Sequence, residues 1–302
     1  MKSRNAYVLG IDLGGTQVRA ALTGPDGMLA TPLQAVPTEA HTLEREALYA
    51  RIRDLARSVR GDRNIEGIGI GATGPVDPES GTILDCNNLP TFQHFPLCER
   101  LQADFGVPAR MDGDARALIL GEALFGAGKH ARRVFGLTLG TGLGSALVED
   151  GRIVRGSTGC SGEIWTAPYR DGTMEDYLSG TALSQHFTAL TGETVSGKEV
   201  ADLARAGSPE ALAVFRTFAD ALADTMAWCT GLFDPDLIIL GGSVTESAPL
   251  FMDRALERFL RFICTPARAH IRVALSSLGS AAGVIGAGAL AWRKNTYKYS
   301  EG

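Results

Sequence analysis

The chain has 302 residues, of which 45% are hydrophobic and 21% charged, and its formal net charge is −5. This composition excludes a disordered chain, and the acidic balance without a basic stripe argues against nucleic acid as the main partner. No apolar run approaches the ~20 residues that span a membrane, and no signal peptide is recognisable, so we expect no membrane partner. Glycine accounts for 37 residues, an excess that needs explaining because glycine costs backbone entropy wherever it is not required.

The five cysteines are odd in number, widely spaced and free of Cys-x-x-Cys motifs. Such cysteines are typical of reduced thiols, so the chain is predicted to be cytoplasmic. The five histidines are equally scattered, and no local zinc motif is present.

In chain order, apolar runs predict strands, and apolar residues at helical spacing predict helices. The elements expected first are strands at 7–12, 16–23, 28–36, 65–71 and 108–112, and helices at about 42–60, 95–105 and 114–125.

The pattern then restarts, because residues 12–30 and 138–156 both contain a strand, a Gly/Thr loop, a strand, an Asp-Gly turn and a strand. This internal repeat predicts two similar β-β-β-α domains, in agreement with a length of two domains at ~150 residues each. After an irregular stretch at 156–172, we expect helices at about 173–190, 197–206, 208–232, 248–262 and 281–292, with strands at 237–240 and 271–276.

Two glycine patterns resemble nucleotide motifs but lack the required context. The Gly-x-Gly-x-x-Gly string at 69–74 is followed by Pro75 and Pro78, so a loop follows it rather than the helix of a Rossmann fingerprint. The Walker-A-like segment at 192–198 has Glu199 where a magnesium-binding Ser or Thr is needed.

Three other glycine turns are informative together. They are Asp12-Leu13-Gly14-Gly15-Thr16, Gly140-Thr141-Gly142 at the equivalent hairpin of the repeat, and Gly241-Gly242-Ser243 at a third strand end. Glycine turns let backbone N–H groups approach phosphate closely, so the matched pair predicts a clamp on a triphosphate. Asp12 would then face Mg²⁺, directly or through water. The alternative is that these are only tight hairpin turns.

The chain resembles the ROK family (repressors, open reading frames, kinases) of the actin/hexokinase-like ATPase superfamily. The resemblance covers nearly the whole chain through the segments LGIDLGGTQVRAAL, GIGIGATGPVD, NNLP, DGDARALILGEALFG, LTLGTGLGSALVEDGRIVRG, SGEIW, MEDYLSG, LFDPDLIILGGSV and GSAAGVIGAGAL. It implies an α/β, two-domain actin/hexokinase-like (ribonuclease H-like) fold with duplicated β-β-β-α units. We expect an N-terminal domain at 1–115 on the sugar and phosphate side, with a helix at about 281–295 packing back on it, and a nucleotide-side domain at 116–280.

Active members of the family are mostly ATP-dependent sugar kinases, so the resemblance implies transfer of the γ-phosphate of ATP, with Mg²⁺, to a hexose-like hydroxyl, foremost the 6-OH. Asp114 matches the family's general base. Independently, a carboxylate beside a cleft can accept the proton as a hydroxyl attacks the γ-phosphate. The simpler interpretation of Asp114 is a helix N-cap.

Several further residues match sugar-binding positions of the family. Glu163 and Glu175 match two carboxylates that accept hydrogen bonds from sugar hydroxyls, with solvated surface acids as the alternative. Asn88 is expected to reach the sugar unless it is only a turn residue, and Gly74 would bring backbone close to it. The predicted sugar-binding set is Gly74, Asn88, Asp114, Glu163, Thr166 and Glu175.

The sequence departs from the family pattern around this set. Gly113 replaces the asparagine before the base, Arg116 replaces a second asparagine, and Thr166 replaces a histidine. The family's cysteine-rich zinc loop is missing, so no zinc is expected, and Trp165, Pro168 and Tyr169 are expected to brace the shortened loop by apolar packing. These changes leave the sugar open: glucose, another hexose, an amino sugar or a ketose.

Arg116 would either offer a donor to the substrate or face solvent. The resemblance also implies a homodimer.

Two rival functions are also compatible with the sequence. One is a non-catalytic sugar sensor of the ROK type acting through a protein partner, since two sugar ligands are changed. The other is a filament- or chaperone-like ATPase of the same superfamily, against which Glu163, Glu175 and the Asn88 loop speak.

Overall fold

The computed structural model describes residues 6–292. Within them the chain divides into two compact units. The first comprises residues up to 129, residues 151–153 and residues from 277 onward; the second comprises 130–150 and 154–276. Each unit has its own core of buried apolar side chains.

In chain order the elements are β1 (Val8–Leu13), β2 (Gln17–Thr23), β3 (Gln34–Pro37), α1 (Arg45–Arg60), β4 (Ile68–Ala72), β5 (Val76–Asp77), β6 (Thr82–Ile83), α2 (Leu97–Phe105), β7 (Ala109–Gly113), α3 (Asp114–Phe125), β8 (Arg133–Leu139), β9 (Leu143–Glu149), β10 (Arg152–Ile153), β11 (Pro168–Tyr169), β12 (Gly172–Thr173), α4 (Gly180–Thr191), α5 (Gly197–Arg205), α6 (Pro209–Phe233), β13 (Leu237–Gly241), α7 (Met252–Phe262), α8 (Thr265–His270), β14 (Arg272–Leu275) and α9 (Ala282–Trp292). Of the helices within residues 6–292, not one combines the length and the apolar character that crossing a bilayer requires.

The sheet of the first unit has the strand order β3-β2-β1-β4-β7. β1 runs antiparallel to β2, whereas β1, β4 and β7 run parallel, with Asp12 opposite Gly71 and Gly71 opposite Asp112. Because parallel strands end at the same edge of a sheet, the residues that follow β1, β4 and β7 lie next to one another along that edge. Among the residues that follow are Gly14, Gly74 and Asp114 of the predicted site.

Helix α9 packs on this sheet and on α3 at unusually close range, because glycines line the contact. A Cβ added at Gly69 would lie 1.7 Å from the carbonyl oxygen of Ala287, and one at Gly286 would lie 1.7 Å from that of Ala117. The predicted boundary after residue 115 is therefore too early: α3 packs within the first unit, which extends to Lys129. Residues 293–295 of the helix expected at 281–295 lie outside the described part of the chain.

The sheet of the second unit has the order β10-β9-β8-β13-β14, with β8 and β9 antiparallel and β8, β13 and β14 parallel. Both five-stranded sheets thus place the first strand of their unit at the centre, between its hairpin partner and a parallel strand. The predicted α/β class with two duplicated units is confirmed.

Several elements differ from their predicted bounds. The helix expected from residue 173 begins only at Gly180, because Ser179 is its N-cap and its Oγ accepts a hydrogen bond from Ala182 N at 2.9 Å. The stretch expected to be irregular contains the short hairpin β11–β12. The predicted strand at 28–36 is reduced to β3, and α8 was not predicted.

Candidate functional site

Asp12 and Asp114 occupy the carboxyl edge of the first sheet, Asp12 within the end of β1 and Asp114 as the first residue of α3. Asp12 also lies against the first turn of α9, where a Cβ on Gly283 would lie only 2.7 Å from Asp12 Oδ2. Burial, followed by the nearby charge of Asp114, raises the pKa of Asp12 from 3.8 to about 6, while Arg19 lowers it. The two carboxyl groups therefore form an electrostatically coupled pair.

The pKa of Asp114 is also raised, because burial outweighs the hydrogen bonds that its carboxylate accepts from Ala115 N and from its own N–H. The bond from Ala115 N to Oδ1 measures 2.7 Å. The N-cap of α3 is Gly113, which makes no side-chain capping bond, so the interpretation of Asp114 as the cap is wrong. A carboxyl group with a raised pKa at a strand edge is suited to accept a proton.

Arg116 does not face solvent. Its residue is only 6% exposed, and its Nη1 lies 3.5 Å from Oδ1 of Asp112, which is fully buried. Of the two alternatives that the sequence left open, solvent exposure is therefore wrong, because the guanidinium lies beside buried Asp112 on β7. The change from asparagine thus adds a buried ion pair next to Asp114.

The first hairpin turn lies beside these carboxyl groups. Gly14 N donates to Gln17 O at 3.0 Å, and Thr38 Oγ1 donates to Gly14 O at 2.7 Å. A Cβ on Gly15 would lie 3.1 Å from Asn88 Cβ, and Asn88 Nδ2 donates to Thr73 Oγ1 at 3.4 Å. Within the first unit, the structure therefore gathers at the sheet edge the predicted residues Asp12, Gly14, Gly15, Thr16, Gly74, Asn88 and Asp114.

In the second unit, the turns after β8 and β13 lie side by side, because these strands are parallel neighbours with Gly241 opposite Thr138. Gly242 has a φ of +88°, and a Cβ there would lie 2.4 Å from Leu139 O, so the position requires glycine. The structure brings together the predicted residues Gly140, Thr141, Gly142, Gly241, Gly242 and Ser243.

Segment 175–181 holds the turn at 140–142 in place. Glu175 Oε2 accepts the Leu143 N–H at 2.8 Å, and Gly180 N donates to Gly140 O at 2.7 Å. Thr181 Oγ1 donates to Thr141 O at 2.8 Å. Sequence reasoning missed this role of Glu175, since no local signal connects residues 32 positions apart.

The segment that carries Glu163 and Thr166 lies against the same loop. Glu175 N donates to Trp165 O at 3.2 Å, and Ile164 N donates to Ser145 Oγ on β9 at 3.2 Å. Glu163 is half-buried and Thr166 is exposed. Within the second unit, Glu163, Thr166 and Glu175 therefore belong to one continuous surface next to the turn at 140–142.

The shortened loop is braced by aromatic rings and hydrogen bonds rather than by apolar packing alone. The Tyr169 and Tyr177 rings meet edge-on at 5.0 Å, Tyr177 meets His186 at 4.9 Å, and the Tyr169 hydroxyl donates to Asp224 at 2.8 Å. Trp165 is 44% exposed and takes no buried place in this brace, contrary to prediction. Among residues 6–292, no three or more His, Cys, Asp or Glu side chains are grouped to hold a metal ion.

Comparison with known proteins agrees with this architecture. The model of the ROK family matches residues 8–294. A glucokinase of Streptomyces coelicolor is 30% identical over 312 residues, covering 94% of this chain and 96% of the relative.

Two solved structures share the fold over nearly the whole chain. The ROK family glucokinase from Streptomyces griseus, crystallised with glucose and AMPPNP, has a TM-score of 0.80 and 29% identity, covering 94% of this chain and 98% of that chain. The ROK hexokinase from Thermus thermophilus has a TM-score of 0.84 and 29% identity, covering 95% and 98%. The class is therefore that of two-domain α/β sugar kinases, which are phosphotransferases. The chain belongs to the ROK family.

Proposed function

We propose that this sugar kinase transfers the γ-phosphate of ATP to a hydroxyl of a hexose-like sugar, foremost the 6-OH, with Asp114 as the general base. The observation that carries the proposal is the buried carboxyl pair of Asp12 and Asp114 beside a glycine turn, with the pKa of both groups raised. The glucokinase relatives make glucose the first sugar to test, and the changed residues keep other hexoses, amino sugars and ketoses in the panel.

In the proposed reaction, the sugar hydroxyl oxygen forms a bond to the γ-phosphorus while the bond from that phosphorus to the β–γ bridging oxygen breaks and ADP leaves. The hydroxyl proton passes to Asp114. Oδ1 of Asp114 is held by Ala115 N–H at 2.7 Å, so the carboxylate has a fixed direction from which to accept the proton.

Asp12 is the residue that fits Mg²⁺. Ionising this buried carboxyl next to Asp114 costs free energy, and a divalent cation held directly or through water would offset that cost. When bound, Mg²⁺ would neutralise charge on the transferred phosphate. We propose no zinc, because aromatic side chains and Asp224 hold the shortened loop.

Nucleotide binding is assigned to backbone N–H groups of the glycine turns: Gly14–Thr16 and Gly140–Gly142 for phosphates, and Gly241–Ser243 for the adenosine side. For the sugar we assign Gly74, Asn88, Glu163, Thr166 and Glu175. Gly113 and Thr166 lack the amide and the imidazole of the family pattern. The sugar hydroxyls bound at these two positions are therefore expected to differ from those bound in the family pattern. The homodimer implied by the family resemblance stays a prediction.

The loss of those two sugar partners also favours a second candidate, a sugar sensor that binds without turnover. ADP release measured over a panel of sugars with Mg²⁺ and ATP separates the two, since sugar-dependent turnover supports the kinase and binding without turnover supports the sensor. ADP release that does not depend on sugar would indicate a different ATPase and contradict both.

The same assay tests the base. Asp114→Asn is expected to bind AMPPNP as the wild type does, because the change leaves the glycine turns intact, but to lose at least 1,000-fold in kcat, within the ~10²–10⁴-fold range of general base catalysis. Asp26→Asn, in an exposed turn, serves as the control that keeps full activity. Transfer by Asp114→Asn within tenfold of wild type would remove Asp114 from this role.

A further inference from the structure

Glu175 has two carboxylate oxygens in different situations. Oε2 accepts the Leu143 N–H at 2.8 Å, at the end of the glycine turn 140–142. Oε1 accepts no hydrogen bond from the residues that the structure describes. One oxygen is therefore committed to the phosphate turn, and the other is available on the surface that also carries Glu163.

The turn is built around this carboxylate. A Cβ added at Gly142 would lie 2.4 Å from Glu175 Oε2 and 3.3 Å from its carboxyl carbon, so only glycine lets the carboxylate reach the backbone. Leu143 is 4% exposed, so its N–H has poor access to water once the carboxylate is removed. Glu175 is thus an intrinsic part of the turn's conformation.

The same residue is tied to the sugar-side segment through its backbone, since Glu175 N donates to Trp165 O at 3.2 Å. Residues 163–166 and 140–143 are therefore both anchored on Glu175. A ligand that donates a hydrogen bond to Oε1 changes the position and the electron density of Oε2. It thereby changes the strength of the hydrogen bond from Leu143 N–H to Oε2.

We propose that Glu175 is a positioning residue that couples the two substrates: through Oε2 it sets the conformation of the phosphate turn 140–142, and through Oε1 it senses the sugar. The second half of this inference rests on the proposed function, whereas the first half does not. Sugar binding is then expected to order the phosphate turn, and bound nucleotide is expected to raise sugar affinity by the same factor.

The first test omits sugar and measures the Kd of AMPPNP with Mg²⁺ by calorimetry. Glu175→Ala is expected to weaken binding about tenfold, because the Leu143 N–H loses its acceptor. Glu175→Gln keeps a neutral acceptor oxygen and is expected to stay within threefold of wild type. Glu193→Ala removes an exposed carboxylate of the same unit that has no role in the proposed site; it is the matched control and is expected to leave the Kd unchanged.

The kinetics of Glu175→Gln distinguish coupling between the two substrates from a purely structural role of Glu175. In steady-state assays it is expected to keep the KM for ATP but to raise the KM for sugar about tenfold, because the charged acceptor at Oε1 is gone. Saturating glucose should tighten AMPPNP binding at least threefold in the wild type and by no measurable factor in Glu175→Gln. If glucose is not bound by the wild type, the sugar found active in the panel replaces it.

Unchanged AMPPNP affinity in a folded Glu175→Ala would overturn the positioning role, whatever the enzyme's activity. If Glu175→Ala does not fold, Glu175→Asp replaces it, because the shorter side chain withdraws the carboxylate from the Leu143 N–H. Faster amide hydrogen exchange than wild type in peptides covering 139–144 of this variant supports the role, and equal exchange refutes it. Equal tightening by sugar in wild type and Glu175→Gln would overturn the coupling alone. Absence of sugar-dependent turnover in the wild type would refute the proposed function without affecting the nucleotide result.

Discussion

At the residue scale, Asp12 is expected to lower the stability of the folded protein at the pH values at which its carboxyl group is ionised. Burial raises the pKa of folded Asp12 to about 6, above its ordinary value of 3.8, so the native state holds the proton more tightly than the unfolded state. The free energy of unfolding therefore falls as pH rises from about 4 to about 6, by at most about 3 kcal/mol, and the loss is complete above pH 7.

Asp12→Asn removes this titration, so the variant should be more stable than wild type at pH 8 and equal to it near pH 4. Urea unfolding at a series of pH values in EDTA measures the difference without bound Mg²⁺. Asp26→Asn, in an exposed turn, is the control for loss of a single charge. A wild type whose stability rises between pH 4 and 6 relative to Asp12→Asn would contradict the assigned environment.

Glu122 is the other carboxylate that stands out, although it lies outside the proposed chemistry. It is fully buried, and its oxygens accept hydrogen bonds from Ala127 N at 2.9 Å, Ser277 N at 2.9 Å and Leu278 N at 2.8 Å. Glu122 thereby links two segments of the first unit that are distant in sequence: the one around Ala127, where the chain leaves this unit, and the one at 277–278, where the chain returns to it.

Glu122→Ala leaves these donors without their acceptor, so we expect a loss of about 3 kcal/mol in the free energy of unfolding, measured with urea. Glu99→Ala, an exposed glutamate on α2, should stay within about 0.5 kcal/mol of wild type. A loss below 1 kcal/mol for Glu122→Ala would show that water replaces the carboxylate at this position.

At the element scale, close packing of α9 accounts for part of the glycine excess. Gly286 touches the backbone of α3, where its added Cβ would lie 1.7 Å from Ala117 O, and backbone cannot move aside as a side chain can. Gly231, on α6, would carry a Cβ with no neighbour within 4 Å. The same substitution should therefore have opposite effects in two helices.

Gly286→Ala is expected to lower the free energy of unfolding by about 3 kcal/mol, because α9 must separate from α3. Gly231→Ala is expected to raise it by about 0.5 kcal/mol, since alanine loses less backbone entropy on folding. Thermal and urea unfolding of both variants give the comparison. Equal effects in the two helices would mean that the α3–α9 contact is less tight than the distances indicate.

Local patterns predicted the elements whose signals are local. The helix at 114–125 has its predicted bounds because it follows a short strand and ends at glycine, and α6 begins at Pro209 behind the capping Ser208. The glycine turns were also predicted correctly at the ends of strands β1, β8 and β13. In these cases the sequence carries the physical cause within a few residues.

The features that were missed depend on how the elements pack. Arg116 and Asp112 are only four residues apart, but the burial of both side chains depends on packing around the junction of β7 and α3. The place of Glu175 requires Leu143, 32 residues away along the chain. Gly69 and Gly286 fall within a predicted strand and a predicted helix, yet each of them allows close contact with another backbone. Such causes exist only once the fold has formed, so spacing along the chain does not show them.

At the scale of the whole molecule, the two units repeat one topology and place a glycine turn after the central strand of each sheet. If both turns serve phosphate, one triphosphate ligand should protect both, because each turn offers backbone N–H groups to phosphate oxygens. AMP, with a single phosphate, is expected to reach only the turns of the second unit. Hydrogen exchange with mass spectrometry reads both turns in one experiment.

With Mg²⁺ and AMPPNP, exchange should slow in peptides covering 13–17 and 139–144, whereas AMP should slow it only in peptides covering 139–144 and 240–244. The peptide of α1, which carries no predicted site residue, is the internal control and should exchange at the same rate throughout. Protection by AMPPNP confined to the second unit would remove Gly14–Thr16 from the phosphate site. Asp12 would then lose its assigned place beside Mg²⁺, because it directly precedes that turn.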